Sequence, residues 1–196
     1  IEVPLDVMGE DVPGDWVHVP AFKAKSAPDP SDVKEAAALL AGADHPVIYA
    51  GQGIHYAKAW KELKELAEQW NIPVTTSIEG KSAFPEDHPL SLGSGGRANS
   101  RPVKRYLEES DLILGLGVSF ALTAFGVPMP PGKKIIHATL DPMDLNKDVP
   151  ADIGLIGDAK LTLTALNSEL SNADNSKAAA RANEPEKINE LKEEWM

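Results

Sequence analysis

No cysteine occurs in the 196 residues, which excludes disulfides, thiolate nucleophiles and cysteine-ligated metals. No stretch approaches the roughly 20 apolar residues that cross a bilayer, and nothing near the start has the layout of a signal peptide. Positive charge is scarce: 19 lysines and arginines stand against 30 aspartates and glutamates, a formal net charge of -11. That excess repels nucleic acid and anionic membrane. A Walker lysine motif, a serine elbow and the full G-x-G-x-x-G spacing are missing as well. His18, His45, His55, His88 and His137 are scattered without metal spacing. These absences leave a soluble, cytoplasmic chain with no assigned catalytic residue, long enough for one domain that hides about two thirds of its unfolded surface.

What is present alternates short apolar runs with helical patterns. Residues 1–28 hold several prolines and glycines and read as an extended lead-in from a preceding domain, packing intermittently through Val3, Leu5, Trp16 and Val19. Ile1 stands where an initiator methionine would, which favours a segment of a longer polypeptide. A helix is expected from Ser31, with Val33, Ala36, Ala37, Leu39 and Leu40 on its apolar face. Strands follow at Val47–Ala50, Val74–Ser77, Leu112–Gly117, Ile135–Leu140 and Ile153–Ile156. Between the first two, Trp60, Leu63, Leu66, Ala67 and Trp70 recur at helical spacing. Further helices are expected over Ser100–Glu109 and after Asp158. This alternation predicts an α/β, Rossmann-like, doubly wound and mainly parallel sheet spanning residues 29–170. Residues 171–196 read as a polar, partly helical C-terminal linker, closing either onto its own domain or onto a neighbour.

Two glycine clusters are candidate anion sites. Gly51, Gln52 and Gly53 lie where a strand gives way to a helix, so their amides can face a phosphate or ribose; a purely structural tight turn is the alternative, and without the full glycine spacing it is the favoured one. Leu92–Gly96 concentrates amides beside Arg97, and serves either anion binding or close loop packing. Asp141 is placed to accept ribose hydroxyls or to cap the turn begun at Pro142. His88 reads as part of an exposed turn, and His137 as a satisfied buried residue. Phe120, Phe125, Val127 and Met129 concentrate apolar surface in one loop, suited to a pocket or an interdomain contact.

In order and spacing, HPVIYAGQG, IPVTTSIEGKSAFPEDHPLSLGSGG, ESDLILGLGVSF, KKIIHATLDPMDLNKD and ADIGLIGDAKLTLTAL resemble the central domain of thiamine diphosphate-dependent enzymes related to acetolactate synthase, oxalyl-CoA decarboxylase and benzoylformate decarboxylase. The resemblance covers about residues 29–170 and extends into EVPLDVM, which is similar to the end of the preceding pyrimidine-binding domain. It implies flanking pyrimidine-binding and diphosphate-binding domains that hold thiamine diphosphate and Mg2+ in a homodimeric or homotetrameric parent, neither bound by this chain alone. The isolated chain is then expected to be inactive. Some such central domains take FAD or ADP; matching motifs would put Gly51, Gln52, Gly53, Thr76, Ser77, Leu92, Ser94, Gly117, Asp144 and Asp158 at that site. GVSFALT replaces the family's GxRFDDR, so two diphosphate-binding arginines are lost, which argues against tight FAD binding. The competing functions are a stand-alone or regulatory module for FAD, ADP or NAD, and a sirtuin-type deacetylase, which lacks its cysteine zinc module here.

Overall fold

Apolar runs bounded by glycine and proline become buried parallel strands because helices cover them from both sides. The computed structural model describes residues 2–20, 22, 24–96, 99–124 and 126–195. Among them, β1 (Pro46–Ala50), β2 (Val74–Thr76), β3 (Ser91–Ser94), β4 (Leu112–Leu116), β5 (Lys134–Thr139) and β6 (Ile153–Ile156) form one sheet in the order β3-β2-β1-β4-β5-β6. Every pairing is parallel. β1 and β4 pair from Pro46 opposite Leu112 to Ala50 opposite Leu116, and every residue of both is buried. Strand order reverses between them, so the connections leaving β1 and β4 diverge and open a crevice at their C-terminal ends.

Helix α5 (Ala159–Leu170) packs against both α1 (Pro30–Gly42) and α3 (Trp60–Trp70), while α4 (Arg101–Glu109) packs with α7 (Glu184–Trp195). The doubly wound expectation therefore holds. Several local expectations do not. The first helix is capped by Asp29 rather than opened by Ser31: the Ser31 amide donates to Asp29 Oδ1 at 2.8 Å, and Pro30 fills the first turn, where a missing N–H costs nothing. The helix after β1 is broken, because Lys58 adopts φ 54° and separates a short α2 (Gly53–Ala57) from α3. Trp60 consequently points outward and donates its indole N–H to His55 Nδ1 at 2.9 Å. Leu161 is exposed and Leu39 half-buried. β3 lies between the strand expected at Val74–Ser77 and the helix expected at Ser100–Glu109, where the sequence predicts no strand. His88 is no free turn residue: its Nε2 meets Glu68 at 3.1 Å and its Nδ1 accepts the Leu90 amide.

The lead-in departs furthest from expectation. Val3, Leu5, Trp16 and Val19 are all exposed, since residues 2–20 make no strand pairing and only local turns. Attachment begins at Lys25, which pairs with Asp158 at 3.1 Å, and at Ser26, whose carbonyl accepts the Asp158 amide.

The polar C-terminal segment folds back across the N-terminal edge of the sheet. Ile188 and Leu191 of α7 are buried, and α6 (Ser176–Ala180) lies against α1 and α3. Arg181 pins this strap. Its Nη1 donates to the Ala43 carbonyl at 2.9 Å and its Nη2 to the Trp70 carbonyl at 3.0 Å. One guanidinium thus closes the C-terminal ends of α1 and α3, where unpaired carbonyls and the helix dipoles favour a cation. Asn71 Nδ2 donates to the Ala178 carbonyl, Lys177 pairs with Asp44, and the Tyr106 hydroxyl donates to Glu184 at 2.9 Å. Removing the guanidinium leaves two buried carbonyls without donors. Arg181→Ala is predicted to lower unfolding free energy by about 3 kcal/mol in a urea titration, and Arg181→Lys to recover less than half of that, because a single ammonium cannot span both acceptors.

Candidate functional site

The crevice at the strand reversal is built from backbone meeting backbone. The Gly51 amide donates to the Leu116 carbonyl and the Gly53 amide to the Gly117 carbonyl, both at 2.9 Å, while the Gly117 amide donates to Ala138 at 2.8 Å. A β-carbon on Gly53 would stand 2.6 Å from Gly117 Cα, one on Gly51 would run into the Gly117 carbonyl, and Gly117 itself sits at φ +61°. These glycines are required by the crossing of the two loops. The Gly51 and Gly53 amides are already engaged, so two of the three donors expected from the motif are turned to the protein's own carbonyls rather than to a phosphate. The second cluster behaves alike. Gly93 donates to Ser91 Oγ at 3.2 Å, Gly95 to the Thr76 carbonyl at 2.7 Å and Gly96 to Asn99 Oδ1 at 2.7 Å. Arg97 and Phe125 lie outside the described residues.

The resulting cleft encloses about 290 Å³. It gathers seven of the eleven candidate nucleotide-site residues, Gly51, Gln52, Gly53, Ser77, Gly117, Asp141 and Asp144, together with Phe120 and Val127 of the apolar loop. Thr76, Leu92, Ser94 and Asp158 do not line it. Thr76 and Ser94 join β2 to β3 through a hydroxyl–hydroxyl bond of 3.0 Å, and Leu92 is buried in β3. Asp158 caps α5 by accepting the Lys160 and Leu161 amides, on the side that holds the lead-in. Asp141 likewise caps a 3-10 turn at Pro142–Asp144, its Oδ1 accepting the Met143 amide at 2.9 Å, and Asp144 accepts the Thr139 hydroxyl at 3.0 Å.

Aromatic groups form the floor. Phe120, at φ 52°, lays its ring over Gly115 of β4, stacks on Tyr49 with centroids 5.9 Å apart and meets His137 edge-on at 4.8 Å. Burial, followed by the neighbouring Glu79 carboxylate, pushes the Tyr49 hydroxyl up to about 12. His137 is fully buried, and its Nε2 lies 2.7 Å from the Val118 carbonyl. A carbonyl only accepts, so Nε2 carries the proton and Nδ1 is the bare nitrogen, without a partner. Desolvation lowers the imidazole's pKa and keeps it neutral, a packed member of the sheet rather than a base.

Three carboxylates, those of Glu79, Asp141 and Asp144, line the cleft, and no lysine, arginine or histidine does so among the described residues. A phosphate charge about 5 Å from one carboxylate meets roughly 1 kcal/mol of repulsion in water and about 3 kcal/mol at an effective dielectric near 20. The site therefore fits the diphosphate of FAD or ADP poorly. Tyr49 and Glu79 were not apparent from the sequence; the position of Glu79 three residues beyond the end of β2 was the available signal. Gly51→Ala is expected to destabilise the fold by at least about 3 kcal/mol by thermal unfolding, because its clash is with backbone that cannot move aside, whereas Gly42→Ala, in open space at the end of α1, changes stability by less than about 1 kcal/mol.

Residues 33–166 match the family described as thiamine pyrophosphate enzyme, central domain. The chain is 37% identical over 178 residues to a protein from Methanocaldococcus jannaschii described as a probable acetolactate synthase large subunit, covering 87% of this chain and 30% of that one. It is 34% identical over 171 residues to acetolactate synthase of Mycobacterium bovis, covering 85% and 28%. Among solved structures, benzoylformate decarboxylase from Polynucleobacter necessarius superposes with a TM-score of 0.68 at 26% identity, covering 89% of this chain and 33% of that chain. The chain thus spans under a third of the length of these relatives. With a parallel sheet reversing at β1 and β4 and a family match across most of it, the chain belongs to the thiamine pyrophosphate enzyme central-domain family.

Proposed function

We propose that this chain is the non-catalytic central domain of a thiamine pyrophosphate-requiring 2-oxo acid decarboxylase or carboligase, holding flanking catalytic domains in register. The observation that carries this reading is the state of the switch point: its glycine amides bond to the protein's own carbonyls, and its cleft is lined by carboxylates without a cation among the described residues. The family match supports assigning Mg2+ and thiamine diphosphate to the parent enzyme, and this reading places both in the flanking domains. Thiamine supplies the electron sink for carbon–carbon cleavage or joining when bound by its own domains. The contribution of this chain is rigidity, through the β1–β4 crossing and the Arg181 strap. In the parent, pyrimidine-binding and diphosphate-binding domains would flank it in a cytoplasmic homodimer or homotetramer; among the described residues no helix is long and apolar enough to cross a membrane.

The competing reading, a nucleotide-binding module, draws on the convergence of Gly51, Gly53, Gly117, Asp141 and Asp144 at one cleft. Titration calorimetry of the purified chain with FAD, ADP, NAD and thiamine diphosphate separates the two. The scaffold reading predicts dissociation constants weaker than about 1 mM for all four, less than roughly 4 kcal/mol of binding free energy. Micromolar binding of FAD, ADP or NAD would establish the module instead.

A further inference from the structure

Gly115 of β4, His137 of β5 and Gly154 of β6 are register partners, so their side-chain positions share one face of the sheet. The Phe120 ring fills the space over Gly115, and Leu145 fills that over Gly154, where an added β-carbon would lie 2.7 Å from Leu145 Cδ1. His137 is thus enclosed between a phenyl ring and an isobutyl group. Phe120 lines the switch-point cleft and His137 does not, so the phenyl ring is the floor that separates the imidazole from the cleft.

That enclosure accommodates a neutral ring and not a charged one. Nε2 donates to the Val118 carbonyl at 2.7 Å, and Nδ1 is buried without a hydrogen-bond partner among the described residues. A proton on Nδ1 would add a second N–H and a full charge to an apolar space, with no acceptor in reach. β4 and β6 present glycines at this level, Phe120 and Leu145 are hydrocarbon, and the ionisable group that acts on the ring among the described residues is Asp144, which lines the cleft and accepts the Thr139 hydroxyl. The covering ring is itself held under strain. Phe120 sits at φ 52°, a left-handed conformation that an aromatic residue adopts only when its surroundings impose it.

We propose that His137 and Phe120 form an acid-sensitive floor: the phenyl ring stays seated over Gly115 while the imidazole is neutral, and a proton on Nδ1 lifts it, opening the enclosure to cleft water and to the Asp144 carboxylate. Lifting relieves the strain at Phe120 and supplies the new N–H with an acceptor in one movement. The direction with pH follows from linkage. Burial holds the His137 pKa below its ordinary value in the seated state, and contact with water returns the ring toward the ordinary histidine range, about 6.5. The lifted state therefore binds the proton more tightly. Its population relative to the seated state rises by up to about tenfold for each pH unit below about 6.5, until the seated form also takes the proton, and is independent of this proton well above that range. The device acts on the shape of the cleft, and stands whether the chain is a scaffold or a nucleotide-binding module.

The test is an NMR titration of the full 196-residue chain from about pH 7.5 to about pH 4.5, following the His137 ring nitrogens, the Phe120 and Tyr49 rings, and the nuclear Overhauser contact between the Phe120 ring and the Gly115 α-protons. Protonation of Nδ1 is expected to coincide with loss of that contact and with shifts at Tyr49, Gly117 and Ala121, while the amides of Leu63 and Leu166, on helices α3 and α5, keep their native positions. His137→Gln, which retains an N–H for the Val118 carbonyl but does not titrate, is expected to keep the Phe120–Gly115 contact throughout the range. Asp144→Asn, which removes the carboxylate that favours the protonated ring, is expected to move the midpoint to lower pH, and decides the matter if His137→Gln fails to fold. Protonation of His137 only as the whole chain unfolds, a Phe120–Gly115 contact that survives protonation, loss of that contact at the same pH in a folded His137→Gln chain, or a midpoint indifferent to Asp144→Asn would each overturn the proposal.

Discussion

Where β1 and β4 end, two loops cross with no side chain between them, and Gly51, Gly53 and Gly117 exist at those positions to let the backbones touch. That crossing sets the spacing of the two central strands' exits, seats Phe120 over Gly115, and gives the cleft its floor. A glycine-rich turn at this place in a doubly wound sheet ordinarily offers amides to a phosphate. Here the Gly51 and Gly53 amides are internal donors, so the geometry of nucleotide-binding folds is kept while two of the turn's donors are consumed. Carboxylates at the rim act in the same direction, and the loss of the arginines after β4 leaves little to offset them.

The opposite edge of the sheet is organised by a single cation. Arg181 joins the C-terminal ends of two helices that each lie more than a hundred residues before it, at the edge where α7 packs on α4 and a mixed-charge cavity lies. The two edges therefore divide the work. The C-terminal edge is closed by backbone contact, and the N-terminal edge by a strap whose burial of charge is offset by helix-end carbonyls.

The parts of the fold legible in the sequence were those with a local apolar signal. PVIYA, LILGL and KIIHAT are runs too short for helices and flanked by glycine or proline, and each became a central strand. β3 was not visible because SLGS has almost no apolar content and is held as an edge by β2, with a register shift between Val74 and Thr75. The break at Lys58 was hidden because a lysine carries no signal for a left-handed conformation. Seven of the candidate site residues were found together because they sit at strand ends, whose convergence follows from topology. Arg181 gave no warning at all: AAAR in a charged, alanine-rich tail reads as solvated, and its acceptors lie more than a hundred residues away. The engagement of the glycine amides was equally invisible, since it depends on carbonyls across the sheet.

Amide hydrogen exchange at Gly51 and Gly53 tests the central claim most directly, because an amide committed to the loop crossing opens only with the surrounding core. The account predicts protection equal to that of Ile48 and Leu114 within about tenfold, unchanged by millimolar ADP. Rapid exchange at these two glycines, or protection that appears only when ADP is added, would contradict it.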